Sequence, residues 1–185
     1  MNLIEDAELS SIKTGIFLPR RDIFLATLFL LSLFSCRETS TSNKKINDMP
    51  EILFVCEHGA ARSTIATAYF NKLAEEQGLN YRAIFRATNP DSTLMPATIK
   101  GLTEDGFDIN NWTPKLVSQT DINSASEIVT FDCNVPASDS GSKPRVQWNG
   151  IPPVSKDYNL ARNQIVENVQ QLINDLAKKQ KKEND

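Results

Sequence analysis

The stretch from Glu51 to Gln77 constrains this chain more than any other. It opens with Glu51-Ile-Leu-Phe-Val55, an apolar run with β-branched and aromatic residues, which reads as a buried strand. It ends with Ser63-Thr-Ile-Ala-Thr-Ala-Tyr-Phe-Asn-Lys-Leu-Ala-Glu-Glu-Gln77, with apolar residues at 65, 69, 70 and 73 and Gly78 as a stop, which is helical spacing. Between them lies Cys56-Glu57-His58-Gly59-Ala60-Ala61-Arg62. A strand therefore feeds a tight loop that opens a helix. A loop of this length can wrap one tetrahedral oxyanion, with backbone N–H groups turned inward and the positive end of the helix dipole behind them. Arg62 supplies a planar fork for two anion oxygens. Cys56 falls at the bottom of such a cradle, where the positive field favours a thiolate, and the hydroxyl of Ser63 can donate to it. The arrangement suits attack of sulfur on phosphorus or on arsenic.

The segment Val55-Cys-Glu-His-Gly-Ala-Ala-Arg-Ser63 resembles the anion loop of the low-molecular-weight protein tyrosine phosphatase superfamily, and its Cys-x-His start is closest to the arsenate reductase branch. The resemblance extends from about residue 50 to 178. It implies a catalytic Cys56 and Arg62, with Glu57, His58, Gly59, Ala60, Ala61, Arg62 and Ser63 around the phosphate. Two residues depart from the pattern. Gly59 stands where that branch usually has an Asn that braces the loop, which predicts a softer loop. Ala87, in Arg86-Ala-Thr-Asn-Pro90, stands where Gly is typical.

The rest of the chain reads as alternating elements. Tyr81 to Thr88 is a second strand, ended by Asn89-Pro-Asp-Ser92, and Met95 to Gly106 a helix with Pro96 in its first turn. Asp121 to Ser124 fits one short helical turn, Ser126 to Phe131 a third strand and Pro144 to Trp148 a fourth. Asn159 to Lys178 is a last helix with apolar positions 161, 165, 166, 169, 172, 173 and 176 on one face. This alternation gives an α/β fold with a parallel sheet covered on both faces, in three layers. The resemblance implies four strands in the order 2-1-3-4. The ligand then belongs at the carboxyl end of the first strand.

A phosphatase also needs an acid to protonate the leaving oxygen. In the family it is an Asp before Pro, in the loop preceding the last helix. Here that loop is Trp148-Asn-Gly-Ile-Pro-Pro-Val-Ser-Lys-Asp157-Tyr158, which makes Asp157 the expected donor and Asp132 the next candidate. Tyr158 and Trp148 are placed to stack on a phosphotyrosine ring or to pack in the core. An arsenate reductase needs a second thiol to take the arsenic off Cys56, and Cys133 is the one candidate resolving thiol in this region. The expected activity is hydrolysis of a phosphorylated small molecule or phosphotyrosine protein through a phosphocysteine. The alternatives are arsenate reduction with a thiol donor and a non-catalytic phosphate-ligand binder.

Composition narrows the remaining classes. Net charge is −3 in 185 residues, with no basic surplus for nucleic acid. Three cysteines are too few for a disulfide scaffold, and one histidine cannot build a zinc site, so no metal or cofactor is expected. Residues 1–36 differ from the rest. Ile23 to Phe34 is a twelve-residue apolar run after Arg20 and Arg21, the length of a signal-peptide core, and Leu33-Phe-Ser-Cys36 resembles a bacterial lipobox. The reading is a cleaved signal with lipidated Cys36, a flexible polar tether over 37–49, a domain over 50–180 and a frayed tail over 181–185. It puts the protein on the bacterial cell envelope, lipid-anchored to the membrane and facing away from the cytoplasm.

Overall fold

The computed structural model describes residues 49–184, with side chains through Lys182. The anchor, Cys36 and nearly all of the tether lie outside the described residues. Eight elements follow in order: β1 (Glu51–Cys56), α1 (Arg62–Glu76), β2 (Arg82–Ala87), α2 (Pro96–Glu104), α3 (Gln119–Ser124), β3 (Ala125–Phe131), β4 (Arg145–Gln147) and α4 (Tyr158–Asn184). The strands form one parallel sheet in the order β2-β1-β3-β4. This is the expected four-stranded, three-layer α/β arrangement.

All six residues of β1 are buried, because a central parallel strand is covered on both faces. Ile52, Phe54 and Cys56 face the larger core, built with Ile65 and Phe70 of α1 and with Ile165, Val169 and Ile173 of α4. Leu53 and Val55 face a smaller cluster with Ile122 of α3 and Ile128 of β3. Register matters for the site. Cys56 stands level with Ala87 of β2 and Phe131 of β3, so the residues after both strands converge on the loop that follows Cys56.

Element ends are set by local chemistry. Pro96 opens α2, and Gly78 takes φ +64 just beyond the C-cap of α1. Ser118 and Asp121 form a reciprocal capping box at α3. The final helix runs to Asn184, past the expected end at Lys178 and through the tail expected to fray. Its Lys, Gln and Glu residues favour helix, and Lys181 and Lys182 sit at the negative end of the dipole.

Candidate active site

The loop between β1 and α1 is held open by its carbonyls. The Cys56 carbonyl accepts from Thr88 N–H at 3.2 Å, that of Glu57 from Asn89 at 2.8 Å and that of His58 from Asp91 at 3.0 Å. The Gly59 carbonyl accepts from the Thr64 hydroxyl at 2.8 Å. The Ala60 carbonyl accepts from Met95 N–H at 3.0 Å, and the Ala61 carbonyl from Ile65 N–H at 2.9 Å. Six consecutive carbonyls are thus drawn outward. In a planar trans peptide the following N–H points the opposite way, so the loop's N–H groups are turned inward as an anion nest.

Cys56 lies at the base, only 4% exposed. Its Sγ is 3.0 Å from Ser63 Oγ and accepts from Gly59 N–H at 3.2 Å. These contacts hold the sulfur in place at the base of the ring. Arg62, the first residue of α1, ion-pairs with Asp132, and its guanidinium lies 6.0 Å from the Phe131 ring centroid. Asp132 follows β3 and takes φ +49, a left-handed conformation that is uncommon for a non-glycine residue.

A cavity of about 210 Å³ opens above the thiol. Cys56 and Arg62 line it, with Glu57, His58 and Asp91 as its other ionisable residues. Its apolar wall includes Met95 and, from the β4–α4 loop, Ile151, Pro153 and Val154. His58 Nδ1 lies 3.3 Å from Asp91 Oδ1, and its Nε2 lies 3.7 Å from Glu57 Oε2.

The structure brings Cys56 through Ser63 together and sets other expected residues apart. Asp157 is not among the residues lining the cavity. Its Oδ1 accepts the Leu160 N–H at 2.9 Å, which makes it the N-cap of α4. Trp148 and Tyr158 do not line the cavity either. Trp148 packs on Phe54 and Phe131, with centroids 5.5 and 5.4 Å away. The Tyr158 ring covers Gly101, where any Cβ would stand 2.3–2.4 Å from ring carbons, and its hydroxyl donates to Asp105 at 2.5 Å. Both aromatics are therefore spent on packing rather than on a substrate ring.

Cys133 belongs to the opposite face of the sheet. It packs against the smaller cluster, donates to the Val55 carbonyl at 3.4 Å and opens into a separate cavity with Thr130 and Arg145. Burial pushes its thiol pKa up. Asp91 and Thr64 are the residues sequence reasoning missed. The Asn-Pro-Asp turn signalled only a chain reversal, and Thr64 read as an ordinary first-turn residue of a helix.

Comparison with known proteins gives the same picture. A model of the low molecular weight phosphotyrosine protein phosphatase family matches residues 51–138. An arsenate reductase of Bacillus cereus is 28% identical over 127 residues, which is 65% of this chain and 92% of that protein. The crystal structure of an arsenate reductase from Archaeoglobus fulgidus is 28% identical, covering 66% of this chain and 98% of its own, with a TM-score of 0.57. A low molecular weight phosphotyrosine phosphatase from Vibrio cholerae shares the fold at 15% identity and a TM-score of 0.57, over 70% of this chain and 98% of that one. The family match, the strand order and the Cys56–Ser63 loop agree: over residues 51–138 the chain is similar to the low molecular weight phosphotyrosine protein phosphatase family.

Proposed function

We propose that this protein hydrolyses phosphomonoesters through a phosphocysteine at Cys56. The thiolate attacks phosphorus in line, the S–P bond forms and the P–O bond to the leaving group breaks. The inward N–H groups and Arg62 stabilise charge on the equatorial oxygens. Water then cleaves the S–P bond and releases phosphate. The chemistry needs no metal or cofactor.

The observation that carries hydrolysis over reduction is the placement of the two thiols. Cys56 and Cys133 face opposite sides of the sheet and open into different cavities. Release of arsenic by an internal disulfide would need Cys133 to swing across the sheet end, and its buried thiol resists ionisation. Arsenate reduction is the second reading, favoured by the Bacillus cereus relative. There Cys56 attacks arsenate, a second thiol displaces the arsenic as arsenite, and an external thiol donor reduces the disulfide.

The test offers the full chain an aryl phosphate, then arsenate with thioredoxin or a small thiol, using wild type and Cys133→Ala. Aryl phosphate turnover indifferent to Cys133→Ala supports hydrolysis. Arsenate turnover lost in Cys133→Ala, without ester hydrolysis, establishes reduction. Phosphate binding with neither turnover leaves a binding protein.

The proposal includes a lipid anchor at Cys36, on the strength of the Ile23–Phe34 run and the residues after it. Cys36→Ser is expected to release the protein from the membrane fraction of the bacterial envelope. Unchanged retention would point to an uncleaved anchor.

A further inference from the structure

Hydrolysis at Cys56 leaves open which group protonates the leaving oxygen. In-line attack fixes where that group must be. The sulfur is at the closed end of the cavity, so the leaving atom departs toward the mouth. Asp157 caps α4 and does not line the cavity, and Asp132 is committed to Arg62. Besides Cys56 and Arg62, the ionisable residues lining the cavity are Glu57, His58 and Asp91. The side chains of Glu57 and Asp91 are 61% and 51% exposed. Carboxyl groups as a class ordinarily titrate at about pH 4, well below the range in which a donor must hold its proton at neutrality. Histidine is the side chain whose ordinary titration falls between pH 5 and 8, which suits proton transfer near neutrality.

We infer that His58, oriented by Asp91, is the proton donor to the leaving group and later the base that activates water. This step rests on the hydrolase reading. Two main-chain bonds fix the pair. Asn89 N–H donates to the Glu57 carbonyl at 2.8 Å, and Asp91 N–H donates to the His58 carbonyl at 3.0 Å. They set Asp91 Oδ1 3.3 Å from His58 Nδ1. Asp91 thus engages Nδ1, and Nε2 is left for the substrate, with Glu57 Oε2 too distant at 3.7 Å to hold it by a hydrogen bond. Glu57 and Asp91 are the charged groups that face the imidazole.

The protons balance in both half-reactions. As Cys56 Sγ bonds to phosphorus and the P–O bond breaks, the Nε2 proton of the imidazolium passes to the leaving oxygen, giving the free alcohol and neutral His58. Neutral Nε2 then takes a proton from water as the water oxygen attacks the phosphocysteine. The S–P bond breaks, the thiolate is restored and phosphate leaves. His58 is the catalytic residue and Asp91 a positioning residue.

The experiment measures kcat and KM of the full chain between pH 5 and 9, with an alkyl phosphate and with an aryl phosphate of an acidic phenol. His58→Gln, Asp91→Asn, Asp91→Glu and Asp157→Asn are compared with wild type, and inorganic phosphate inhibition checks that each variant keeps its cradle. The expected result for His58→Gln is a kcat/KM loss on the order of 10²–10⁴-fold on the alkyl ester. The aryl ester's kcat/KM loses less than about tenfold, since its leaving group needs little protonation, while its kcat falls wherever hydrolysis of the phosphocysteine limits turnover, and the alkaline limb of the alkyl ester's kcat/KM profile disappears. Asp91→Asn should lower kcat/KM on the alkyl ester more than on the aryl ester, with Asp91→Glu restoring part of it, and Asp157→Asn should keep the wild-type dependence on leaving group. Equal kcat/KM losses on both esters in His58→Gln, or a leaving-group-dependent kcat/KM loss in Asp157→Asn instead, would overturn the assignment of His58. A wild type that turns over neither ester would overturn the hydrolase reading itself, and this step with it.

Discussion

Gly59 and Ala87 meet across the floor of the loop. A Cβ built on Gly59 would stand 2.9 Å from Cβ of Ala87 and 3.2 Å from Cβ of Pro114, and Gly59 itself takes φ +65. Both residues depart from the pattern that the loop otherwise resembles, and they are spatially reciprocal. Where the family has a side chain in the loop and a glycine on the strand, this chain has the opposite. The Thr64 hydroxyl donates to the Gly59 carbonyl and ties the loop to α1 at the position where the expected Asn is missing.

Gly59→Asn alone is therefore expected to destabilise by roughly 1–3 kcal/mol through overpacking. Asn tolerates the left-handed backbone, so combining it with Ala87→Gly should recover most of the loss. Thermal melts of the two single variants and the double variant read the coupling; simple additivity would disprove the contact.

Thr64→Val tests that tie. It leaves the buried Gly59 carbonyl without its donor, at a cost of about 1–3 kcal/mol. Because that carbonyl orients the next N–H inward, inorganic phosphate should also bind more weakly. Thr64→Ser is expected to keep both properties close to wild type.

Asp132 is expected to matter for turnover far more than for stability. Its ion pair with Arg62 is partly exposed, so Asp132→Asn should change the melting free energy by less than about 1 kcal/mol. Removing a negative charge beside the anion site should tighten inhibition by inorganic phosphate. Freeing the Arg62 fork should at the same time lower kcat by about tenfold, equivalent to about 1.4 kcal/mol. A melting shift with unchanged kinetics would assign Asp132 to folding alone.

The Asp105 cluster predicts an alkaline weak point. Tyr69 and Tyr158 both donate to Asp105 Oδ2, at 2.8 and 2.5 Å, and Arg162 pairs with the same carboxylate. Burial first, then the Asp105 hydrogen bond, pushes both phenol pKa values up. A raised phenol favours the folded state fully below its unfolded value, about 10, and the advantage is lost as pH rises past that value toward the folded one. Denaturant melts from pH 8 to 11 should show stability falling above pH 10, with a smaller fall in Tyr158→Phe. An equal fall in that variant would exclude the phenol as the cause.

The sequence determined the frame because its signals are local. The apolar run 51–55, the Cys56–Ser63 loop and the period of 65, 69, 70 and 73 specify a strand, a turn and a helix within 27 consecutive residues. Parallel order then places the loop at the carboxyl end of the sheet. What the sequence could not show was the direction each side chain takes and the partner it meets. Asp157 looked like a proton donor by its place before the last helix, yet helix geometry turns its carboxylate to the Leu160 N–H. Cys133 lies near Cys56 in strand register, but it packs against the opposite face of the sheet. Asp91 gave only a turn signal. Tertiary structure brought it to His58, because the chain after β2 runs beside the loop and donates its N–H groups to the carbonyls of residues 56, 57 and 58. Spacing along the chain fixes backbone shape, whereas the direction and partner of a side chain are fixed by which strands lie side by side.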